Sequence, residues 1–254
     1  MAVDRWTKEQ TIVAFNLYCK IPFQKASSTN PDIIRVAKII GRSPNSVKMK
    51  IGNFGSFDPE LKKKGIVGLA NASALDKEIW DKFNGDWENL AFESEQLVAK
   101  FSNQNIEDFS GIDLNNLPIG ESKERVVKTR VNQNFFRQTI LSAYNSTCCI
   151  TGLNISELLI ASHIVPWSKK KEARLNPRNG LCLNALHDKA FDRGLITVQQ
   201  DYTIRVSDKV SKEYNNENVQ KWIGAFDGQK IILPERFVPN GEFLKYHNDN
   251  IFVK

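Results

Sequence analysis

The chain has 254 residues, of which 41% are hydrophobic and 25% are charged, and its formal net charge is +6. This composition is typical of a globular protein and excludes a wholly disordered, collagen-like or disulfide-stapled chain. We see no apolar run of the roughly 18 residues that cross a bilayer, and no secretory signal at the start. With four cysteines, the sequence favours a protein of a reducing cytoplasm, without a membrane partner.

The positive charge is concentrated in two blocks. Residues 33–64 and 121–180 each carry a net charge of +6, whereas residues 65–120 between them carry −7. Basic blocks often contact nucleic acid, although a solvated surface produces the same pattern. We expect the two basic blocks to line one DNA path, and the acidic segment to face away from DNA or to shield a site.

The first hundred residues have the pattern of amphipathic helices. Thr7 and Gln10 match a capping box, and residues 30–31 and 43–44 each pair an N-cap residue with proline. The resulting helix, short turn and helix match a helix-turn-helix unit with residues 43–53 as the recognition helix. Any pair of helices with a basic face fits the same pattern. The candidate DNA contacts here are Arg42, Asn45, Lys48 and Lys50.

Composition divides the chain into four parts. A helical, DNA-binding or specificity domain is predicted at residues 1–101, followed by a polar, Gly- and Pro-containing linker at 102–122. We assign residues 123–210 to a second domain. Residues 211–254 contain several aromatic side chains and are expected to form a C-terminal extension that packs on it.

The second domain is predicted to contain a ββα unit. Apolar residues at 158–164 and 181–184 indicate two strands, and residues 185–193 indicate a short helix capped by Asn184. A hairpin is expected over residues 195–206. A mostly helical N-terminal part followed by this unit makes the predicted fold class α+β.

Two of the three histidines lie in this unit, His163 at the end of the first strand and His187 in the first helical turn. One imidazole can take a proton from water while another holds a metal ion. Asn179 lies between them, in a loop whose basic residues can contact a polyanion: Lys169, Lys170, Lys171, Arg174 and Arg178. A single histidine is more often structural, but this combination favours phosphodiester hydrolysis.

Several motifs resemble those of an HNH endonuclease, and more narrowly the HNH domains of bacterial restriction-type enzymes. The resemblance covers residues 128–200 and is carried by Ala161-Ser-His-Ile-Val-Pro-Trp and Asn179-Gly-Leu-Cys-Leu-Asn-Ala-Leu-His-Asp-Lys-Ala-Phe-Asp-Arg-Gly. It implies a ββα-metal nuclease fold with His163 as the general base. It also implies that Asn179 holds the loop and orients His163, and that His187 ligates a divalent metal, Mg²⁺ or alternatively Mn²⁺ or Ni²⁺.

The sequence departs from the family pattern at two places. Many HNH sites have an Asp or a second His where this chain has Ser162, a poor ligand, and Asp192 is a possible further ligand or a local structural residue. The chain also lacks the two Cys-x-x-Cys pairs of a structural zinc, so we expect no such zinc. The nearby cysteines are expected to be buried apolar residues instead.

These features predict a metal-dependent endonuclease of double-stranded DNA with a role in restriction or defence, and its sensitivity to base modification stays open. The expected products carry 5′-phosphate and 3′-hydroxyl ends, as the resemblance implies. Cutting both strands with one active site per chain favours a homodimer. Two alternatives stay open: a nicking or structure-specific nuclease of recombination or repair, and a catalytically inactive DNA-binding regulator.

Overall fold

The computed structural model describes residues 5–109, 122–213 and 216–254. Contacts divide the chain into two compact units, residues 1–139 and 140–254. The first is helical and the second combines helices with two antiparallel strand pairs, so the predicted α+β fold class is confirmed. Among the described residues, no helix combines the length and the apolar character needed to cross a bilayer.

Short polar caps define the helices of the first unit. Thr7 forms the predicted capping box with Gln10, and Asn30, Ser43 and Ser73 each accept a backbone N–H of the helix that follows. The helices are α1 (Lys8–Lys20), α2 (Pro31–Ile39), α3 (Pro44–Gly55), α4 (Pro59–Lys63), α5 (Ala74–Phe83), α6 (Trp87–Phe101), α7 (Ile106–Phe109) and α8 (Lys123–Ala143), whose last residues belong to the second unit.

Helix α1 forms the centre of the first unit, because its residues from Thr11 to Cys19 are all buried. Phe15 is fully buried and its ring lies 4.8 Å from that of Phe54 on α3 and 5.4 Å from that of Trp80 on α5. The predicted helix, turn and helix are present as α2 and α3. Gly41 allows the turn between them because it adopts a φ of +69°.

The second unit contains the predicted ββα unit. Its elements are β1 (Leu159–His163), β2 (Gly180–Asn184), α9 (Ala185–Asp192), β3 (Ile196–Val198), β4 (Ile204–Val206), α10 (Asp208–Glu213), α11 (Glu217–Trp222) and α12 (Gly241–Asn250). Strands β1 and β2 are antiparallel, with His163 opposite Gly180. Asn184 ends β2 and caps α9, so the strand leads directly into the helix.

Helix α12 packs on the element pair α9 and β3. The His247 ring stacks 3.7 Å from the Phe191 ring, and its Nε2–H donates to the Phe191 carbonyl. Of the predicted linker, residues 110–121 lie outside the described residues, and α7 occupies part of the rest. The division between the two compact units falls within α8, after residue 139, and the predicted domain boundaries at 101 and 123 remain predictions.

Candidate active site

His163 lies at the end of β1 and is held by the following loop. Its Nε2 is 2.9 Å from the Arg174 carbonyl oxygen. Because a carbonyl only accepts, Nε2 carries the ring proton, and Nδ1 is the basic nitrogen. Burial lowers the pKa of His163, whereas the Arg174 carbonyl and the Asp188 carboxylate oppose this shift. The imidazole is therefore neutral near pH 7, the state that a proton acceptor needs.

Asn179 joins the two ends of that loop. Its Oδ1 accepts from the Val165 N–H at 2.8 Å, and its Nδ2 donates to the carbonyls of Val165 and Ala173, each at 3.1 Å. The side chain is 1% exposed, so these bonds form away from water. Since Ala173 precedes Arg174, the amide fixes the segment whose carbonyl holds His163.

The basic residues of this loop fall into two groups. Lys169, Lys170 and Lys171 are exposed. The Arg174 guanidinium lies 5.3 Å from the Trp167 ring and donates to the Trp167 carbonyl, while Arg178 donates to the Val238 carbonyl. The lysines are thus presented to solvent, whereas the two arginines shape the loop.

His187 lies in the first turn of α9, as the sequence predicts, and packs beside Phe226. It is 3% exposed, its ring meets the Phe226 ring edge-on at 5.2 Å, and its Nδ1 is 3.0 Å from Asn184 Oδ1. It lines a cavity that includes neither His163 nor Asp192. Burial lowers its pKa, with the Trp222 carbonyl acting in the opposite sense. The role of His187 as a metal ligand stays a prediction.

Asp188, the residue that follows His187, acts on His163 through its charge. Its charge raises the pKa of His163, and together with partial burial it raises the pKa of Asp192. Asp188 and Asp192 are four residues apart and share one face of α9, whereas His187 and Asp192 are separated by about 140° around the helix. Sequence reasoning missed Asp188. Its spacing of four residues from Asp192 was the available signal.

Ser162, a poor candidate ligand at a position where many HNH sites have a metal ligand, is 2% exposed, and its Oγ makes no hydrogen bond within the described part of the chain. Cys148, Cys149 and Cys182 are buried and form no disulfide within the described residues, and burial raises the pKa of Cys149 well above its usual value. Within residues 5–109, 122–213 and 216–254, no three His, Cys, Asp or Glu side chains are grouped as metal ligands.

The predicted DNA contacts of the first unit are only partly exposed. Lys50 is 5% exposed, pairs with the buried Asp76 carboxylate and lies 4.6 Å from the Trp6 ring, so it is not available to a phosphate in this structure. Arg42 donates to Gln10 Oε1 at 2.8 Å. The candidates that α3 presents to solvent are Asn45 and Lys48.

A comparison with known proteins finds a family match in this part of the chain. A family model described as HNH endonuclease, HNH_2, matches residues 148–199. No curated protein matches the chain. The matched segment contains β1, β2, α9 and β3, and with them His163, Asn179 and Asp188. It confirms the resemblance seen in the sequence and indicates a nuclease. The chain therefore contains a domain of the HNH endonuclease family.

Proposed function

We propose that the protein is a metal-dependent endonuclease that hydrolyses phosphodiester bonds of double-stranded DNA. The observation that carries the proposal is the hydrogen bond from His163 Nε2 to the Arg174 carbonyl. This bond places the ring proton on Nε2 and makes Nδ1 the basic nitrogen, the one that would take a proton from water. The resulting hydroxide oxygen attacks phosphorus and the bond to the 3′-oxygen breaks. That oxygen takes a proton from solvent, which leaves a 5′-phosphate and a 3′-hydroxyl.

Asn179 acts as a positioning residue in this scheme. Its three hydrogen bonds hold both sides of the loop, and the loop holds the His163 ring. A base must lie within hydrogen-bond reach of the attacking water, so a rigid loop raises the fraction of productive encounters. Lys169, Lys170 and Lys171 are exposed beside it and supply positive charge for the DNA backbone.

Asp188 and Asp192 would hold the divalent cation. Burial, and after it the charge of Asp188, raises the pKa of Asp192. A bound cation would offset the repulsion between the two carboxylates, whose oxygens suit Mg²⁺ or Mn²⁺. When bound, such an ion supplies stabilisation of the charge that builds on the phosphate and on the leaving oxygen. His187 is replaced by Asp188 in this ligand set.

The finer role that we propose is restriction or defence, with the first unit selecting the DNA through Asn45 and Lys48. Cutting both strands would use two chains, so we propose a homodimer on DNA. One observation favours a second candidate function, that of a catalytically inactive DNA-binding regulator. Ser162 stands where many HNH sites have a ligand, and its buried Oγ makes no hydrogen bond to the described residues.

The test is cleavage of supercoiled plasmid with Mg²⁺, Mn²⁺ or Ni²⁺, using both unmodified and base-modified DNA. We expect cleavage by the wild type, loss of cleavage in His163→Ala, and retention in Asp249→Asn, a control that removes an exposed carboxylate. Linear product from a plasmid with one cut site supports double-strand cutting, whereas nicked product favours the nicking alternative. Absence of cleavage under all these conditions contradicts the enzyme and favours the regulator.

A further inference from the structure

A cavity of about 810 Å³ opens beside the first turn of α9. It lies within the second unit and is lined by residues 151–154, 184–187, Leu158, Lys221, Trp222 and Phe226. None of the residues that we propose for catalysis or metal binding contributes to it. Its volume falls within the roughly 300–1,000 Å³ of small-molecule sites. The proposed nuclease reaction therefore leaves this cavity without a role.

Three large apolar side chains in the walls of the cavity are partly exposed. Trp222, Leu158 and Leu186 are 53%, 48% and 46% exposed, and all three face the same space. An exposed group of this kind marks a surface that is covered by a ligand or a partner. A tryptophan that is half exposed offers one ring face on which a planar ligand can stack.

His187, which lines the cavity, has a buried ring nitrogen, Nε2, that makes no hydrogen bond to the described residues. Asn184 Nδ2 donates to Thr151 Oγ1, which fixes its Oδ1 towards the His187 ring, so His187 Nδ1 carries the proton. Nε2 of His187 is then a lone-pair acceptor, buried and with no hydrogen bond to the described residues. The Trp222 carbonyl cannot serve it, because a carbonyl only accepts. A ligand with an N–H donor at its edge would satisfy this atom.

We propose that the cavity binds an unpaired nucleobase of the DNA substrate. A base has a planar face for Trp222, an amino or ring N–H for His187 Nε2, and an attached phosphate for the exposed Lys221 at the rim. A base becomes available to such a site when it leaves the helical stack. The inference rests on the proposed function, since it takes the base from the DNA that the enzyme would cut.

Binding of labelled duplexes to the full chain in EDTA tests this site without cleavage. One duplex is fully paired, and the other carries a single bulged 2-aminopurine whose fluorescence falls on stacking. We expect tighter binding of the bulged duplex and quenching of its fluorescence. Trp222→Ser should weaken binding of the bulged duplex about 5- to 150-fold, the range for loss of one base–aromatic stack. Ile232→Ser, which removes an equally exposed apolar side chain outside the cavity, should keep the preference.

Titration of the protein with adenosine alone separates this inference from the proposed function. If no duplex binds but adenosine binds and Trp222→Ser abolishes it, the cavity is a nucleobase site whose ligand is a free nucleoside, and the DNA function fails. If the plasmid is cleaved but the wild type binds bulged and paired duplexes equally, the inference is overturned while the function stands. Retention of the bulge preference in Trp222→Ser likewise overturns it.

Discussion

Replacing Asn179 tests whether the loop clamp controls both stability and catalysis. Asn179→Ala removes three buried hydrogen bonds, two to Val165 and one to Ala173. At about 1 to 1.5 kcal/mol for each bond, we expect the free energy of unfolding of the second unit to fall by about 3 to 4 kcal/mol. For a unit of this size that corresponds to a melting temperature lower by about 10 °C or more.

Two further variants make the effect specific. Asn179→Asp keeps the shape and can accept the Val165 N–H, but its second oxygen then faces two carbonyls, so it should lose at least two of the three bonds. Asn176→Ala, in the same loop, removes one bond to the Arg178 N–H and should cost about 1 kcal/mol. We expect cleavage by both Asn179 variants to fall about a hundredfold, because the loop no longer fixes His163.

The assay is calorimetry combined with hydrogen exchange at the Val165 amide, whose proton is donated to Asn179 Oδ1. Local exchange is needed because a chain of two compact units need not unfold in one step. Asn179→Ala should expose the Val165 amide to exchange while the amides of α1 stay protected. Wild-type exchange at Val165 together with unchanged stability would refute the reasoning that the side chain clamps the loop.

Three other perturbations have defined outcomes. Lys50→Ala should destabilise the first unit by about 3 to 5 kcal/mol in denaturant titration, because the buried Asp76 carboxylate loses the charge that it pairs with. Lys48→Ala should leave stability unchanged and should reduce the salt dependence of DNA binding by about one counterion. Burial lowers the pKa of His247 to about 4, below its usual 6.5. The contribution of His247 to the free energy of unfolding is therefore complete above pH 6.5, and about 3 kcal/mol of it is lost by pH 4. His247→Gln should remove that part of the pH dependence of unfolding. Asp188→Asn should weaken Mn²⁺ binding about tenfold or more in calorimetric titration, and equal weakening by His187→Gln would contradict our ligand set.

The helices and strands could be predicted because their signals are local. Asn30 and Ser43 each precede a proline and cap α2 and α3 in the structure. Asn184 likewise caps α9 where the sequence places it. A cap depends on residues two or three positions away, so the sequence contains the whole interaction. The two strands on either side of the basic loop are each indicated by a short apolar run, and in the structure they pair with His163 opposite Gly180.

Long-range partners could not be predicted in the same way. Lys50 lies on the polar face of a helix with a basic sequence, and this pattern predicts a DNA contact. Its actual partner is Asp76, 26 residues away on another helix. The two charges compensate each other in the interior of the unit, which no local pattern indicates. Lys48, two residues earlier, has the same charge and remains exposed.

Helix α9 shows why adjacent residues of one motif can serve different surfaces. Successive positions are rotated by about 100°, so His187 and Asp188 cannot face the same space from one helical turn. The N-cap residue Asn184 orients His187, because its Oδ1 is hydrogen-bonded to both the backbone N–H and Nδ1 of His187. The His187 ring then lies against the Phe226 ring. Asp188, whose charge acts on His163, shares another face of the helix with Asp192. Eight residues of helix thereby separate a candidate catalytic surface from a candidate base-binding cavity, and substitutions on the two faces should affect cleavage and base binding independently.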